Sequence, residues 1–128
     1  MYLLIMLLIN GKLSASATLL EEVCHQTEDP AFCLKVLGSD PRTKNAGLPE
    51  LAQITIDLGS YSDREAAGHL KRGEYTDLNV DGGLAGQDGH DCEDAFKEPP
   101  AYRSPLTKEN YRLMRFGEII IIIANLLG

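Results

Sequence analysis

Seven glycines fall between residues 59 and 89: Gly59, Gly68, Gly73, Gly82, Gly83, Gly86 and Gly89. Inside a helix each costs about 1 kcal/mol relative to alanine, because glycine loses the most backbone freedom on ordering. Any helix through 77–92 is therefore weak on its own and needs tertiary support. The segments on either side carry helical patterning. Leu48, Leu51, Ala52, Ile54, Thr55 and Leu58 recur at three-four spacing, with Pro49 suited to the first turn, and Gly59-Ser60-Tyr61-Ser62-Asp63 interrupts them. Arg64 to Lys71 is a second, weaker helix carrying Ala66, Ala67 and Leu70. Near the C-terminus, Ser104 is an N-cap candidate, Pro105 fits the first helical position, and Glu109 lies in the first turn. Leu106, Leu113, Gly117, Ile120, Ala124 and Leu127 then fall on one face. The β-branched run Ile119–Ile123 sits between Glu118 and Ala124, a setting that favours the end of a buried helix over a strand. Left uncovered, it is an aggregation hazard.

The N-terminal run Tyr2–Ile9 is apolar throughout, too short to span a bilayer and suited to the core of a signal peptide. Ala15-Ser16-Ala17 supplies the small-x-small cleavage pattern, so residues 1–17 are expected to be a signal peptide and 18–128 the mature domain. Secretion leaves no membrane attachment after cleavage. It also changes how the cysteines read. In an oxidising compartment Cys24 and Cys33 close a small loop around His25–Phe32, with Asp29-Pro30 favouring a turn, and staple a helical hairpin. Gly38-Ser39-Asp40-Pro41 ends that hairpin. Cys92 is left over, which implies a free thiol, an intermolecular bridge or a missing piece of sequence.

Charge narrows the partners. Twelve Lys and Arg stand against nineteen Asp and Glu, for a formal net charge of −7. That removes the electrostatic footprint needed on a phosphate backbone, so nucleic acid is excluded as a partner and a basic protein surface is favoured. Removing 1–17 deletes one lysine and no acid, which takes the charge from −7 to −8.

One motif suggests metal chemistry. Asp77, Asn79, Asp81 and Asp88, with Gly82 and Leu84, match the oxygen ligands, sharp turn and aliphatic position of a calcium-binding loop over 77–88. A calcium-binding module is accordingly an alternative function. The absence of CxxC and HExxH leaves zinc without a recognised ligand set. His90-Asp91-Cys92 places an imidazole and a thiol at i and i+2, which do not face each other on a helix. With no catalytic motif, the expectation is a protein that is not an enzyme and needs no cofactor.

Several segments, taken in order, carry a resemblance. They are Cys24-x8-Cys33 with Thr27 and Pro30 inside it, Leu37-Gly38-Ser39-Asp40-Pro41-Arg42-Thr43, and Leu48-x-x-Leu51-Ala52. They continue with Tyr61-Ser62-Asp63, Leu70-Lys71-Arg72-Gly73-Glu74-Tyr75 and Asp91-Cys92-Glu93-Asp94-Ala95-Phe96-Lys97. Ser104-Pro105-Leu106-Thr107 and Ala124-Asn125-Leu126-Leu127 close the set. Together they resemble the plant invertase/pectin methylesterase inhibitor family, most closely its invertase-inhibitor subgroup. The resemblance implies an all-α fold: a disulfide-stapled N-terminal hairpin, then an up-and-down four-helix bundle. It implies a secreted inhibitor of the apoplast and cell wall, or of the vacuole, that forms a stoichiometric complex with pectin methylesterase or invertase.

The chain departs from that family in the second bundle helix. Family members carry a fourth cysteine just upstream of the motif that is Tyr61-Ser62-Asp63 here, whereas this chain passes almost directly from Leu58 into it. An internal deletion therefore accounts for the orphan Cys92 and implies a truncated second bundle helix. It also raises an inactive, degenerate paralogue as an alternative. Gly73-Glu74-Tyr75-Thr76-Asp77 is closer to the pectin methylesterase side of the family, so both targets stay open. The residues expected to meet the target are Glu74, Tyr75, Asp77 and Asp81. Cys92 or the hairpin offers a route to a disulfide-linked or hairpin-mediated dimer.

Overall fold

A computed structural model describes residues 15–59 and 64–128. They form α1 (Ala15–His25), α2 (Pro30–Gly38), a 3-10 helix (Pro41–Asn45), α3 (Leu48–Leu58), α4 (Arg64–Lys71), α5 (Tyr75–Ala95) and α6 (Thr107–Leu127). No strand occurs among the described residues, and the fold is all-α as expected. The apolar run Tyr2–Ile9 and the motif Tyr61-Ser62-Asp63 lie outside the described residues.

The hairpin closes as the sequence suggests. Cys24 and Cys33 are disulfide-bonded with their Cα atoms 5.4 Å apart. On the chain-entropy account a loop of this size contributes about 2.5–3 kcal/mol. The buried Thr27 hydroxyl donates to the Cys24 carbonyl at 2.7 Å, just beyond the end of α1. Asp29 caps α2 by accepting the Phe32 N–H at 3.0 Å, and Pro30 takes the first helical position. The hairpin then seats on α6. The Phe32 ring meets Tyr111 and Phe116 edge-on, each at 5.7 Å, and the Arg112 guanidinium lies 5.2 Å over Phe116. Around this seat the Glu28 N–H donates to Glu118 at 2.7 Å, Arg115 pairs with Glu28 at 3.0 Å, and the Tyr111 hydroxyl donates to Asp29. Leu20, Val23 and Leu37 are thereby buried within their own chain, so no second copy is needed to cover them.

Helices α3, α4, α5 and α6 each pack on the next, and α6 returns against α3, so the four close into a ring. The second member is short, eight residues in α4 against 21 in each of α5 and α6. The last four of those glycines, Gly82, Gly83, Gly86 and Gly89, do not break the chain but lie in the continuous helix α5. Its support is α6, the most extensive partner in the fold. Gly82 and Gly89 lie at the contact. A Cβ on Gly82 would stand 2.7 Å from the Gly117 carbonyl oxygen, and one on Gly89 would stand 2.9 Å from the Asn110 carbonyl oxygen. The poor helix formers are therefore what allow the two axes to approach closely. Ile119, Ile120, Ile122 and Ile123 are buried in helix α6, as expected of the isoleucine run.

The start of α6 differs from expectation. Ser104 does not cap it; its hydroxyl accepts the Leu106 N–H two residues on and donates to Glu93, so the chain turns there and the helix begins at Thr107. Leu106, expected on the apolar face, is consequently exposed. Glu93 collects three donors across this join, from Asn110 Nδ2 at 2.8 Å, Thr107 Oγ1 at 2.5 Å and Ser104 Oγ at 3.1 Å. These bonds, Asn110 first, hold its carboxyl below the usual glutamate range. A carboxylate depressed in the folded state contributes stability above its unfolded pKa and loses it as pH falls through the folded value. Glu93→Gln should accordingly lower Tm by a few degrees near neutrality. In thermal melts against pH, that gap should close below the ordinary glutamate pKa, and a gap independent of pH would refute the assignment.

Candidate functional site

The residues singled out in the sequence meet at the corner between α4 and α5. Gly73 makes that corner, with φ at 71°, a conformation that side chains with a Cβ rarely adopt. The Gly73 N–H bonds the Leu70 carbonyl at 3.1 Å and the Glu74 N–H bonds the His69 carbonyl at 2.8 Å, the paired closure of a glycine-ended helix. The chain reverses so tightly that the last turn of α4 faces the first turns of α5.

His69 is the side chain this reversal brings in. Its Nδ1 lies 2.6 Å from Asp81 Oδ2, and its Nε2 lies 3.8 Å from Glu74 Oε2. Glu74 in turn accepts from Arg72 Nε at 2.7 Å and Nη2 at 3.2 Å. The Asp81 hydrogen bond, reinforced by the charges of Asp81, Asp77 and Glu74, raises the His69 pKa above 6.5 despite some desolvation. The Arg72 hydrogen bond holds Glu74 below its ordinary value.

The four expected partner-facing residues do not act as one surface. Asp77 is exposed and Glu74 is half-exposed beside it. Tyr75 is half-buried and packs against the core. Asp81 is a correction: it is only 9% exposed and its carboxylate holds His69, so it presents nothing to a partner. Sequence reasoning placed Asp81 one turn on from Asp77 but missed His69. The signal that could have found it was Gly73, because a glycine-closed reversal brings the end of one helix against the start of the next.

The calcium loop is a second correction. Residues 77–88 lie inside continuous α5, not in a loop. Asp77 and Asp88 are eleven residues apart, about 16 Å along a helix, too far to share one ion. Asn79 bonds Asn125 at 2.7 Å and Asp81 bonds His69, which disperses the remaining ligands. The packing of α5 on α6 has overridden the glycine-and-aspartate turn pattern. Cys92 carries a free, half-buried thiol on the same helix, and His90 beside it is exposed.

Outward from Asp77, helix α5 presents Val80 and Leu84, 53% and 59% exposed. With Asp77 they fall at i, i+3 and i+7, on one solvent-facing strip. Glycines 83 and 86 beside them have nothing within 4 Å of a Cβ position, so none of the described residues covers this face there. On the other side of the corner an open groove of about 730 Å³ is lined by Pro49, Glu50, Gln53, Ala67, Leu70 and Tyr75, among others. An exposed acidic and apolar strip can bind a surface. It holds no nucleophile–base pair.

No family model matches the chain. Curated relatives do. A protein named "Putative invertase inhibitor" from Platanus orientalis is 30% identical over 134 residues, taking in 76% of this chain and 79% of that protein. A protein of the same name from Platanus acerifolia is also 30% identical, over 76% of this chain and 75% of its own length. A "Pectinesterase inhibitor" from Actinidia deliciosa is 37% identical over 49 residues, 38% of this chain and 26% of that protein. The Platanus orientalis match spans 134 positions, more than the 128 residues of this chain, yet covers 76% of it, so part of the relative's matched stretch faces no residue here. An internal deletion beside the short α4 accords with that difference. The relatives are named as inhibitors rather than enzymes, and with the stapled hairpin on a four-helix ring they place this chain in the invertase/pectin methylesterase inhibitor family.

Proposed function

We propose that this protein is a secreted, non-catalytic inhibitor that blocks pectin methylesterase or invertase by forming a stoichiometric complex. The observation that carries the contact surface is the strip Asp77, Val80 and Leu84. Two large aliphatic side chains stand in water with an acidic residue at one end and half-exposed Glu74 beside it. Apolar anchors ringed by charge are what a protein interface uses. An acidic chain suits a basic target, and opposite charges raise the association rate in a salt-dependent way. The signal peptide over 1–17 and the Cys24–Cys33 disulfide support secretion to the apoplast or cell wall, with the vacuole as the alternative. Among the described residues no helix is long and apolar enough to cross a membrane.

The test is inhibition of each enzyme by purified protein in excess. Leu84→Asp should weaken inhibition by at least about tenfold, the loss of one interface anchor, while leaving the thermal melt unchanged. Full inhibition by that variant would move the contact surface elsewhere. If the wild-type chain in excess leaves both enzymes unaffected, the inhibitor reading fails and the folded, inactive paralogue takes its place.

A further inference from the structure

We propose that the corner between α4 and α5 is a zinc-class metal site, ligated by His69, Glu74 and Asp77. One imidazole nitrogen and two carboxylates offer ligand atoms that all lie within 4.8 Å of one another. They come from three separate pieces of backbone: the last turn of α4, the residue after Gly73, and the first turn of α5. His69 is already oriented. Its Nδ1 is held at 2.6 Å by Asp81, a buried carboxylate that is not itself a ligand, and this turns Nε2 toward Glu74. Carboxylate–histidine pairing of this kind fixes the ring and its tautomer in metal sites, leaving the other nitrogen to bind the ion.

The donor set selects the ion class. An imidazole with two carboxylates suits zinc, and three protein ligands leave an open position for water. Calcium would demand six or more oxygens. Three carboxylates, from Glu74, Asp77 and Asp81, face one guanidinium, so the pocket is net negative before a metal enters. Arg72 is the competitor. Its 3.2 Å contact to Glu74 Oε2 must yield to the ion, whereas its 2.7 Å contact to Oε1 can remain. The site went unseen in the sequence because no CxxC or HExxH spacing marks it; the ligands meet only across the Gly73 reversal. The inference does not depend on the inhibitor reading, since binding of the ion is measured without any enzyme.

Zinc chloride titrated into chelator-stripped full-length chain near neutral pH should give one equivalent of binding by calorimetry and a rise in Tm. Asp77→Asn, an exposed change that leaves the fold intact, should weaken zinc at least tenfold, as should His69→Gln. Asp81→Asn, though it touches no ion, should weaken it by about 10–100-fold. The double variant His90→Gln/Cys92→Ser removes the imidazole and thiol farther along α5, about 20 Å from Asp77 along the helix, and should bind as wild type does. Absence of zinc heat at millimolar concentration would overturn the site. So would undiminished binding by Asp77→Asn, or loss of binding in the His90→Gln/Cys92→Ser chain.

Discussion

Phe116→Ala should destabilise the protein by about 3–5 kcal/mol, the usual range for deleting a fully buried aromatic ring. The ring has no solvent exposure and sits where two substructures join. On one side it belongs to the core cluster of α6; on the other it meets Phe32 of the disulfide-stapled hairpin edge-on, with Arg112 over its face. Truncation leaves a cavity at the seat and removes the surface on which the hairpin rests. Small domains have about 5–15 kcal/mol in total, so this one change takes away a large share. Urea denaturation of wild type and variant, compared at equal m-values, measures it. A loss under about 1 kcal/mol would mean that the site collapses around the missing ring, and that the Glu28–Arg115 and Asp29–Tyr111 contacts hold the hairpin without it.

The elements that could be read from the sequence are those whose signals are local. Arg64–Lys71 and Leu48–Leu58 follow from apolar spacing and flanking breakers, and the structure returns both with those bounds. The stapled hairpin follows from Cys24, Cys33 and the Asp29-Pro30 turn, all within ten residues of one another. What was not legible depends on residues far apart in the chain. The calcium-like pattern over 77–88 has genuine turn-forming composition, and only contact with α6 makes a helix of it. Ser104 looked like a cap because nothing local revealed that Glu93 would engage its hydroxyl. Asp81 looked like a surface charge because nothing local revealed that the Gly73 reversal would set His69 against it. In each case a tertiary contact decides between two structures that the local sequence supports about equally. The family resemblance supplied the global frame that these local signals lacked.

The same contact between α5 and α6 predicts that neighbouring glycines will respond to alanine with opposite signs. At Gly82 a Cβ would lie 2.7 Å from a backbone oxygen of α6 and about as close to Ile120 as packing tolerates. No rotamer can relieve a clash with backbone, so the helices must part. Against unyielding backbone the cost falls in the upper part of the usual overpacking range of about 1–3 kcal/mol, which outweighs the gain of about 1 kcal/mol in helix propensity. At Gly83 and Gly86 a Cβ meets nothing within 4 Å. There Gly→Ala only reduces the freedom of the unfolded chain and should stabilise by about 0.4–1 kcal/mol at each position. The three residues lie within five positions of one helix and are chemically identical before and after, so propensity and denatured-state effects are common to all three variants. The difference in sign isolates the helix–helix approach. Urea midpoints of Gly82→Ala, Gly83→Ala and Gly86→Ala supply the comparison. Should Gly82→Ala stabilise as much as the other two, α5 and α6 would not be in close contact there, and the glycines would be a cost that packing does not explain.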